Sequence, residues 1–444
     1  MASGIMATES NDRPAASMAG CDGVVCYAGV DWWYHNRGHS ECQMMSRLAK
    51  RIPVLWVNSI GMRAPTPAKT ELPWRRYFRK LRSTLKGLRR DDCGMWVYSP
   101  LFIPRYTPFV ARLNGRLLSM QISLLCKGLG IRRPAAFVTM PTAAPAVERG
   151  KWVSVVFNRS DDFSAFPEAD AAFVKPLEQK LLARSDSVIY VNRQLYEQEH
   201  AVVRDAQFIG HGVDYALFSS SRLAADPSRL PERIRHLPRP IVGFYGALDN
   251  YRFDLELLIK AARHIPYGTL LLIGPKAMDI SRLEAEPNVV YLGPLPYTQL
   301  PRYAAHFDVA LMPWLQNEFV TACNPIKLKE YLAVGFPIVA IRFPELSPYE
   351  ELVYGADNHE QFLRGIDLAL REDDRSLPAR RRQKVAGDSW DALTDRVAAM
   401  LHVPVDSGRV RLAAPPLIPT ALSADSDPSN PAARADSCAN AAGP

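Results

Sequence analysis

The sequence lacks the patterns that accompany disulfide frameworks, zinc modules and membrane spans. Its seven cysteines are an odd number, and no two of them form a CxxC pair. Isolated cysteines are typical of free thiols in a reducing compartment. No apolar run approaches the roughly 20 residues that cross a bilayer. The first twenty residues lack the basic start and apolar stretch of a secretory signal. We therefore expect a cytoplasmic chain with residues 1–20 as a disordered leader.

Length and composition point to two ordinary globular domains. The chain has 444 residues, of which 48% are hydrophobic and 23% charged. This length exceeds a single core and suits two domains of about 150–200 residues. The net charge of +8 leaves three classes of partner, namely nucleic acid, an anionic membrane surface and anionic small molecules.

Strand and helix patterns alternate along most of the chain, which predicts two α/β domains built on doubly wound parallel sheets. The predicted elements include the strands Val289–Tyr291 and Val309–Met312 and the helix Ile326–Val334. A Pro- and Arg-rich stretch interrupts the alternation and predicts a linker. The expected division is an N-terminal domain over residues 21–212, a linker over 213–238, a C-terminal domain over 239–385, a final helix over 386–403 that crosses back onto the first domain, and a disordered tail over 404–444.

The segment WRRYFRKLRSTLKGLRR, residues 74–90, has the clearest local pattern. At about 100° per residue, its apolar residues form one stripe and its basic residues cover the rest of the helix surface. This predicts a helix that lies on an anionic membrane. An ordinary helix packed on its domain is an open alternative, and nucleic-acid binding is a weaker one because no such motif accompanies the segment. The residues predicted to contact the membrane are Trp74, Arg75, Arg76, Phe78, Arg79 and Lys80.

The stretch CNPIKLKEYLAVGFPIVA, residues 323–340, carries the most specific pattern. Asn324 and the following proline suit the start of a helix. Lys327 and Glu330 are three residues apart and share one helix face. Ligands bind at the carboxyl ends of parallel strands, and helix N-termini favour phosphate. For the pair alone, an exposed ion pair on a helix is the favoured interpretation, and only the whole pattern favours a binding site.

Two first-domain segments carry further candidate chemistry. Asp161 and Asp162 follow a predicted strand, where a carboxylate can accept a proton from a hydroxyl group. A turn or helix cap is the alternative role. His39 stands at the predicted start of the first helix, where it is a site residue or a cap. Trp32 and Trp33 belong to an aromatic loop that is suited to stacking on a sugar ring.

The pattern N-P-x-K-x-x-E-Y-x-A-x-G-x-P-I-V-A from Asn324 resembles the donor-binding signature of GT-B glycosyltransferases of the family 4 type. The resemblance implies that Glu330 binds the ribose of a nucleotide sugar and that Lys327 contacts the diphosphate. It extends the donor site to Gly246, Tyr331 and Arg252, although Arg252 could equally be a surface residue. One departure is Ala322, where many members carry a glutamate near the transferred sugar.

The segment SDDFS, residues 160–164, is similar to that of the glucuronosyltransferases of xanthan-type polysaccharide assembly. This similarity implies that Asp161 is the general base, with Asp162 on the acceptor side. The implied function is transfer from a UDP- or GDP-sugar to a hydroxyl acceptor, expected on a lipid-linked saccharide of cell-surface polysaccharide synthesis. No cofactor, metal or nucleic acid is implied. A sugar-nucleotide epimerase of the same fold and a non-catalytic nucleotide-sugar-binding relative remain open alternatives. So does the choice between inverting and retaining chemistry.

Overall fold

The computed structural model describes residues 20–34, 37–59, 82–105, 107–165, 169–223, 231–321 and 323–404. None of the helices among these residues has the length and apolar character that crossing a membrane requires. The predicted leader, most of the tail and Ala322 lie outside the described residues. The six residues predicted to contact a membrane, from Trp74 to Lys80, also lie outside them.

The first sheet is parallel except for one edge strand. Its order is β3-β4-β2-β1-β5-β6-β7-β8, and only β3 runs antiparallel to its neighbour. The strands are β1 Gly23–Tyr27, β2 Val54–Val57, β3 Leu88–Arg90, β4 Trp96–Tyr98, β5 Pro134–Val138, β6 Val155–Arg159, β7 Ser187–Tyr190 and β8 Ala206–Phe208. The longer helices that follow them are α1 Ser40–Leu48, α2 Pro108–Gly128, α3 Ala171–Arg184 and α4 Arg193–Glu199.

The second sheet is parallel throughout, in the order β11-β10-β9-β12-β13-β14. Its strands are β9 Ile241–Tyr245, β10 Thr269–Ile273, β11 Val289–Tyr291, β12 Val309–Met312, β13 Ile338–Ile341 and β14 Tyr354–Ala356. The longer helices are α5 Tyr215–Leu223, α6 Leu255–His264, α7 Ile326–Val334, α8 His359–Leu370, α9 Leu377–Val385 and α10 Trp390–Met400. Single helical turns are Ala144–Val147, Glu232–Arg235, Ser281–Glu284, Leu300–Ala304 and Glu318–Thr321.

Both faces of each sheet are buried, which explains why the central strands are almost continuously apolar. In β1, Val24 and Cys26 face a cluster that includes α1 and α10, whereas Val25 and Tyr27 face one that includes α2. This alternation follows from the two-residue period of a strand. The prediction of an α/β fold with two Rossmann-like domains is confirmed by the two sheets.

Two segments differ from their predictions. The stretch predicted as a linker contains α5, whose Phe218 is fully buried in the core of the second sheet. The basic segment is helical only over residues 82–85 of its described part. At Gly87 the backbone turns with φ +60°, and Leu88–Arg90 then pairs with β4. The prediction of a helix up to Arg90 is therefore wrong, because strand pairing outweighs the helical pattern there.

The final helix α10 packs on the first sheet although it follows the second sheet in the chain. Trp390 is fully buried beside α1 in the first domain's core. The Ser154 hydroxyl donates to the carbonyl of Met400 at 2.8 Å. Arg47 on α1 forms ion pairs with Asp214 at 3.1 Å and Asp391 at 3.3 Å. The chain thereby crosses between the sheets twice, and this ties them together.

We expect Trp390→Ala to lower the free energy of unfolding by about 3–5 kcal/mol, because it removes a large side chain from a close-packed core. Equilibrium urea unfolding measures this change. The control is Leu368→Ala at an exposed position of α8, which we expect to change stability by less than about 0.5 kcal/mol. Equal stabilities of the two variants would contradict the assigned packing of α10.

Candidate active site in the cleft between the sheets

Two glycine turns shape the second-domain side of the cleft. Gly246 follows β9 with φ +147°, and Gly274 follows β10 with φ +142°. A Cβ atom at Gly274 would lie 1.9 Å from the carbonyl oxygen of Gly246. A Cβ atom at Gly246 would lie 2.7 Å from Cε of Lys327. Only glycine allows these two turns and the lysine side chain to approach so closely.

Lys327 lies in the first turn of α7, which begins at Ile326 directly after Pro325. Its ammonium group is 5.4 Å from the ring centre of Trp314 and 5.7 Å from that of Phe244. Burial and the neighbouring charge of Arg252 together lower the pKa of Lys327 to about 8. A cation in this position, beside unpaired N–H groups of a helix N-terminus, attracts anions.

Glu330 is only 4% exposed, so the alternative of an exposed ion pair with Lys327 is wrong. The hydroxyl group of Tyr245 donates to its carboxylate at 3.0 Å. Burial raises the pKa of Glu330 to about 6, while the phenols of Tyr245 and Tyr297 and the charge of Lys327 act in the opposite direction. A buried carboxylate with remaining acceptor capacity is suited to binding hydroxyl groups.

Arg252 supplies a second cation to the same side. Asp249 accepts from Nε at 3.0 Å and from an NH2 group at 2.5 Å, which fixes the plane of the guanidinium. The guanidinium carbon lies 5.1 Å from the ring centre of Tyr251. The charge of Arg252 is close enough to lower the pKa values of Lys327, His39 and Asp161. Arg252 is therefore part of the cleft and not an isolated surface residue.

Asp161 faces these groups from the first domain, in the loop after β6. Burial raises its pKa to about 6, against the hydrogen bond from Ser160 and the charge of Arg252. Asp161 in turn raises the pKa of Cys323, which precedes α7. These mutual effects cross from one domain to the other, so the Asp161 loop and the start of α7 lie on opposite sides of one cleft.

A buried ion-pair network holds the Asp161 loop in place. Arg159, the last residue of β6, donates to the backbone carbonyl of Asp161 at 2.8 Å. It also pairs with Glu178 and, at 3.0 Å, with Glu199. Glu178 accepts from the backbone N–H of Phe163 at 3.0 Å. Breaking a buried network of this kind leaves uncompensated charge, which strongly disfavours other loop conformations.

His39 precedes α1 at the mouth of the cleft. It occupies the N-cap position, but its side chain makes no capping hydrogen bond. Loss of hydration lowers the pKa of His39 to about 4, and the positive charges of Arg252 and Lys327 act in the same direction. His211, which lies near His39, has its pKa lowered to about 3 by burial and by Lys329. Both rings are therefore neutral at physiological pH.

Several predicted site residues lie elsewhere. Tyr331 is fully buried and accepts from the backbone N–H of Tyr245 at 3.2 Å, so the prediction of a donor contact is wrong. Trp32 is a core residue that packs edge-on against Trp56 at 5.1 Å, so it does not stack on a ligand. Both positions are governed by burial of a large aromatic ring.

Three other predicted residues have structural contacts. Asp162 accepts from both the N–H and the hydroxyl group of Ser164 and therefore closes a turn, as the alternative stated. Trp33 lies under the ammonium group of Lys86 at 4.6 Å. Asn324 donates to the carbonyl of Val191 at 2.7 Å. Its amide therefore joins the two domains, which differs from the predicted donor contact.

This junction between the domains involves further residues that sequence reasoning missed. Lys329 donates to the carbonyl of His211 at 2.6 Å and pairs with Asp388 at 2.8 Å. Glu345 accepts from the backbone N–H of Arg193 at 3.0 Å. No sequence pattern pairs Lys329 with His211 or Asp388. Tyr245 was also missed, although its place as the last residue of β9 put it at the carboxyl edge.

The described residues contain no group of His, Cys, Asp or Glu side chains arranged to hold a metal ion. The titratable side chains near the cleft include the cations Lys327 and Arg252, the carboxyl groups of Glu330 and Asp161, whose pKa values are raised, and the neutral ring of His39. This arrangement can bind a phosphorylated ligand on the second domain and can accept a proton on the first.

Comparison with known proteins matches part of the second domain to a described family. Residues 239–372 match the family model described as Glycosyl transferases group 1. A Bacillus subtilis (strain 168) protein named for glycosyl transfer in teichuronic acid biosynthesis, TuaH, is 28% identical over 255 residues. These residues are 54% of this chain and 62% of the relative, so the chain spans less than two thirds of that relative's length.

Solved structures share the fold across nearly the whole chain. Anabaena HepE, solved with UDP and glucose, has a TM-score of 0.60 at 14% identity and covers 86% of this chain and 100% of its own. A UDP-forming trehalose-phosphate synthase from Burkholderia vietnamiensis has a TM-score of 0.59 at 14% identity, with coverages of 86% and 97%. Sucrose-phosphate synthase from Thermosynechococcus elongatus has a TM-score of 0.58 at 13% identity, and the match covers 85% of this chain and 98% of the synthase. At these identities the likeness establishes the GT-B fold alone.

We expect Arg252→Gln to raise the pKa of His39 from about 4 toward 6.5, because it removes a positive charge that faces the ring. The pKa of Asp161 should rise as well, since the same charge stabilises its carboxylate. NMR titration of protein with isotope-labelled histidine measures the pKa of His39, and the signal missing from His39→Gln is the one that belongs to His39. The matched control Arg263→Gln, at an exposed position of α6, should leave it unchanged. If the pKa of His39 is the same in the wild type and in Arg252→Gln, the inference that Arg252 lies close to His39 across the cleft is wrong.

Proposed function

We propose that this protein is a glycosyltransferase that uses a nucleotide diphosphate sugar as donor and a hydroxyl group as acceptor. The observation that carries the proposal is that hydrogen bonds hold the start of α7, with Lys327, against the first domain. There the charges of Lys327 and Arg252 act on His39, and the charge of Arg252 acts on Asp161. An anion-binding side and a proton-accepting side then face one reaction centre. The family match of residues 239–372 and the UDP and glucose bound by Anabaena HepE support the donor class.

On the donor side, Glu330 would accept hydrogen bonds from the ribose hydroxyl groups. The Tyr245 hydroxyl donates to one carboxylate oxygen at 3.0 Å, and a carboxylate has about four acceptor positions, which leaves capacity for ribose hydroxyl groups. Lys327, Arg252 and the N-terminus of α7 would bind the diphosphate. As the bond between the sugar and the diphosphate breaks, these positive groups stabilise the charge that develops on the leaving oxygen.

On the acceptor side, Asp161 would accept the proton of the attacking hydroxyl group. The acceptor oxygen forms a bond to the anomeric carbon, the bond to the diphosphate breaks, and its electron pair leaves with the diphosphate. A carboxyl group with a pKa of about 6 is a stronger base than an ordinary aspartate and is still ionised at neutral pH. This role belongs to an inverting reaction, whereas in a retaining reaction Asp161 would orient the acceptor.

The acceptor class is a saccharide of cell-surface polysaccharide synthesis, carried on a lipid. The name of the Bacillus subtilis relative, which refers to teichuronic acid biosynthesis, supports a polysaccharide acceptor. An enzyme that acts on a lipid-linked acceptor must approach a membrane surface. This is consistent with a peripheral location at the inner membrane face.

We expect Glu330→Gln to weaken binding of the donor by about 10- to 100-fold, because hydrogen bonds to a charged acceptor are stronger than those to an amide. In the wild type, affinity should fall below pH 6 as Glu330 gains a proton. It should also fall above pH 8, as Lys327 loses its charge. In the variant, the loss of affinity below pH 6 should disappear, whereas the loss above pH 8 should remain. Isothermal titration calorimetry with UDP-glucose and GDP-mannose across pH 5–9 measures these effects.

The matched control for this experiment is Glu351→Gln, which alters an exposed carboxylate of the same domain. We expect the control to bind the donor with wild-type affinity and to lose affinity both below pH 6 and above pH 8. If neither nucleotide sugar binds the wild type, or if Glu330→Gln binds as tightly as the control, the assignment of the donor site is wrong.

We expect Asp161→Asn to lower kcat by about 10²- to 10⁴-fold while the dissociation constant of the donor changes little, since a general base acts on the acceptor. Wild-type kcat/KM should fall as the pH drops below about 6, where Asp161 becomes protonated. Asp170→Asn is the matched control, because asparagine preserves the exposed cap of α3. An increase confined to the acceptor KM would assign Asp161 to acceptor orientation. Conversion of the donor sugar without acceptor would favour an epimerase.

A further inference from the structure

The helix α2 exposes an unusual number of large apolar side chains. Phe109 is 75% exposed, Leu124 62% and Met120 56%. The loop before the helix adds Leu101 and Ile103, and the helix also adds Leu113. These six residues are more than half of the eleven large hydrophobic side chains that are exposed in the described part of the chain. A cluster of exposed apolar side chains of this kind marks a surface that binds a membrane or another protein.

Four of these side chains form a stripe on α2 and the other two belong to a loop that lies beside the helix; we call the six residues together the α2 face. At about 100° per residue, the four helix members lie within an arc of about 60°. The loop lies along the same helix, because Asn114 binds the backbone of Ile103 at 2.8 and 2.9 Å. Gln121 binds the backbone of Leu101 at 2.9 and 3.0 Å.

The opposite side of α2 is firmly packed, so the α2 face is not exposed through poor docking. Leu118, Ile122 and Cys126 are buried against the first sheet. A Cβ atom at Gly115 would lie 2.4 Å from the side chain of Pro145, which shows how closely the helix approaches its neighbour. The exposed stripe lies about 180° from these contacts.

The charge around the α2 face has one sign. Residues 94–147 contain no Asp or Glu. The basic residues in this stretch are Arg105, Arg112, Arg116, Lys127, Arg132 and Arg133. Arg112, Arg116 and Lys127 are exposed on α2 itself. An apolar stripe with cationic residues beside it matches the interior and the headgroups of an anionic lipid layer.

We propose that the α2 face binds an anionic lipid bilayer. The helix, about 30 Å long, lies in the headgroup region with its apolar stripe directed into the membrane, while its arginines and lysine contact lipid phosphates. The aliphatic parts of long basic side chains can lie along the apolar layer while their charges reach the headgroups. The inference depends on this surface and not on the transfer reaction.

The α2 face is distinct from the basic segment that the sequence predicts to contact membranes. That segment ends in β3 at the sheet edge, beside β4. The hydroxyl group of Tyr98 in β4 donates to Gln121 of α2 at 2.5 Å, so the described end of the segment and the α2 face lie at one side of the domain. The two surfaces share no residue, so separate substitutions can test them.

Flotation with lipid vesicles tests the proposal, using pure phosphatidylcholine and a mixture with phosphatidylglycerol. We expect the full-length wild type to float only with the anionic vesicles and less at high salt. Phe109→Ser with Leu124→Ser should reduce the partition coefficient at least about tenfold. Arg112→Gln with Arg116→Gln should reduce it by about thirtyfold at low salt. The matched control is Tyr267→Ser with Leu368→Ser, two exposed apolar residues of the second domain, which should float as the wild type does.

Circular dichroism and thermal unfolding of each variant establish that it is folded. The proposal is overturned if the wild type does not float, or if the α2 variants float as well as the control. It is also overturned if binding is lost only in Trp74→Ser with Phe78→Ser. Light scattering adds a further outcome, since α2 variants that dissociate an oligomer without changing flotation would identify a second copy of the chain as the occupant. Failure of donor binding would not affect any of these results.

Discussion

The hydrogen bonds that join residues 324–329 to the first domain are the contacts on which the proposed site depends. Asn324 binds the carbonyl of Val191, and Lys329 binds that of His211 and pairs with Asp388. The segment that makes these contacts is also the start of α7, which carries Lys327. The anion-binding helix and the first domain therefore share one point of attachment. Because the two halves of the site belong to different sheets, their distance is set by this junction and by the α10 crossover.

The electrostatics of the cleft depend on limited contact with water. Burial alone would neutralise Lys327, Glu330 and Asp161, and it shifts all three pKa values toward the neutral form. The charge of Arg252 across the cleft opposes the shift of Asp161, and Lys327 and Glu330 oppose each other's shifts within the second domain. The pKa values are therefore about 8 for Lys327 and about 6 for the two carboxyl groups, and all three groups are largely ionised at neutral pH. A bound diphosphate would add negative charge beside the two cations and raise the pKa of Lys327 back toward its ordinary value. The unliganded cleft is thus arranged to bind an anion.

Much of the fold could be predicted because buried parallel strands have continuous apolar runs. Val289–Tyr291, Val309–Met312 and the helix Ile326–Val334 have the bounds that their patterns predict. The strands β3 and β14 could not be predicted, because their sequences LRR and YGA have no apolar run and they exist through pairing with a neighbour. The motif singled out Lys327 and Glu330 as candidate donor-site residues. The burial of Tyr331 and Trp32 could not be predicted, because a pattern that names an aromatic residue does not state which way its ring points.

The sequence by itself determined the two α/β domains, the glycine turns and the residue types at the start of α7, because local patterns of apolar and polar residues encode them. The tertiary structure alone decided which groups meet. Asp161 and Arg252 are 91 positions apart in the chain, and only the packing of the two sheets brings their charges within range of each other. It also decided that α2 keeps an apolar face outside the core, since solvent exposure depends on what the rest of the chain covers.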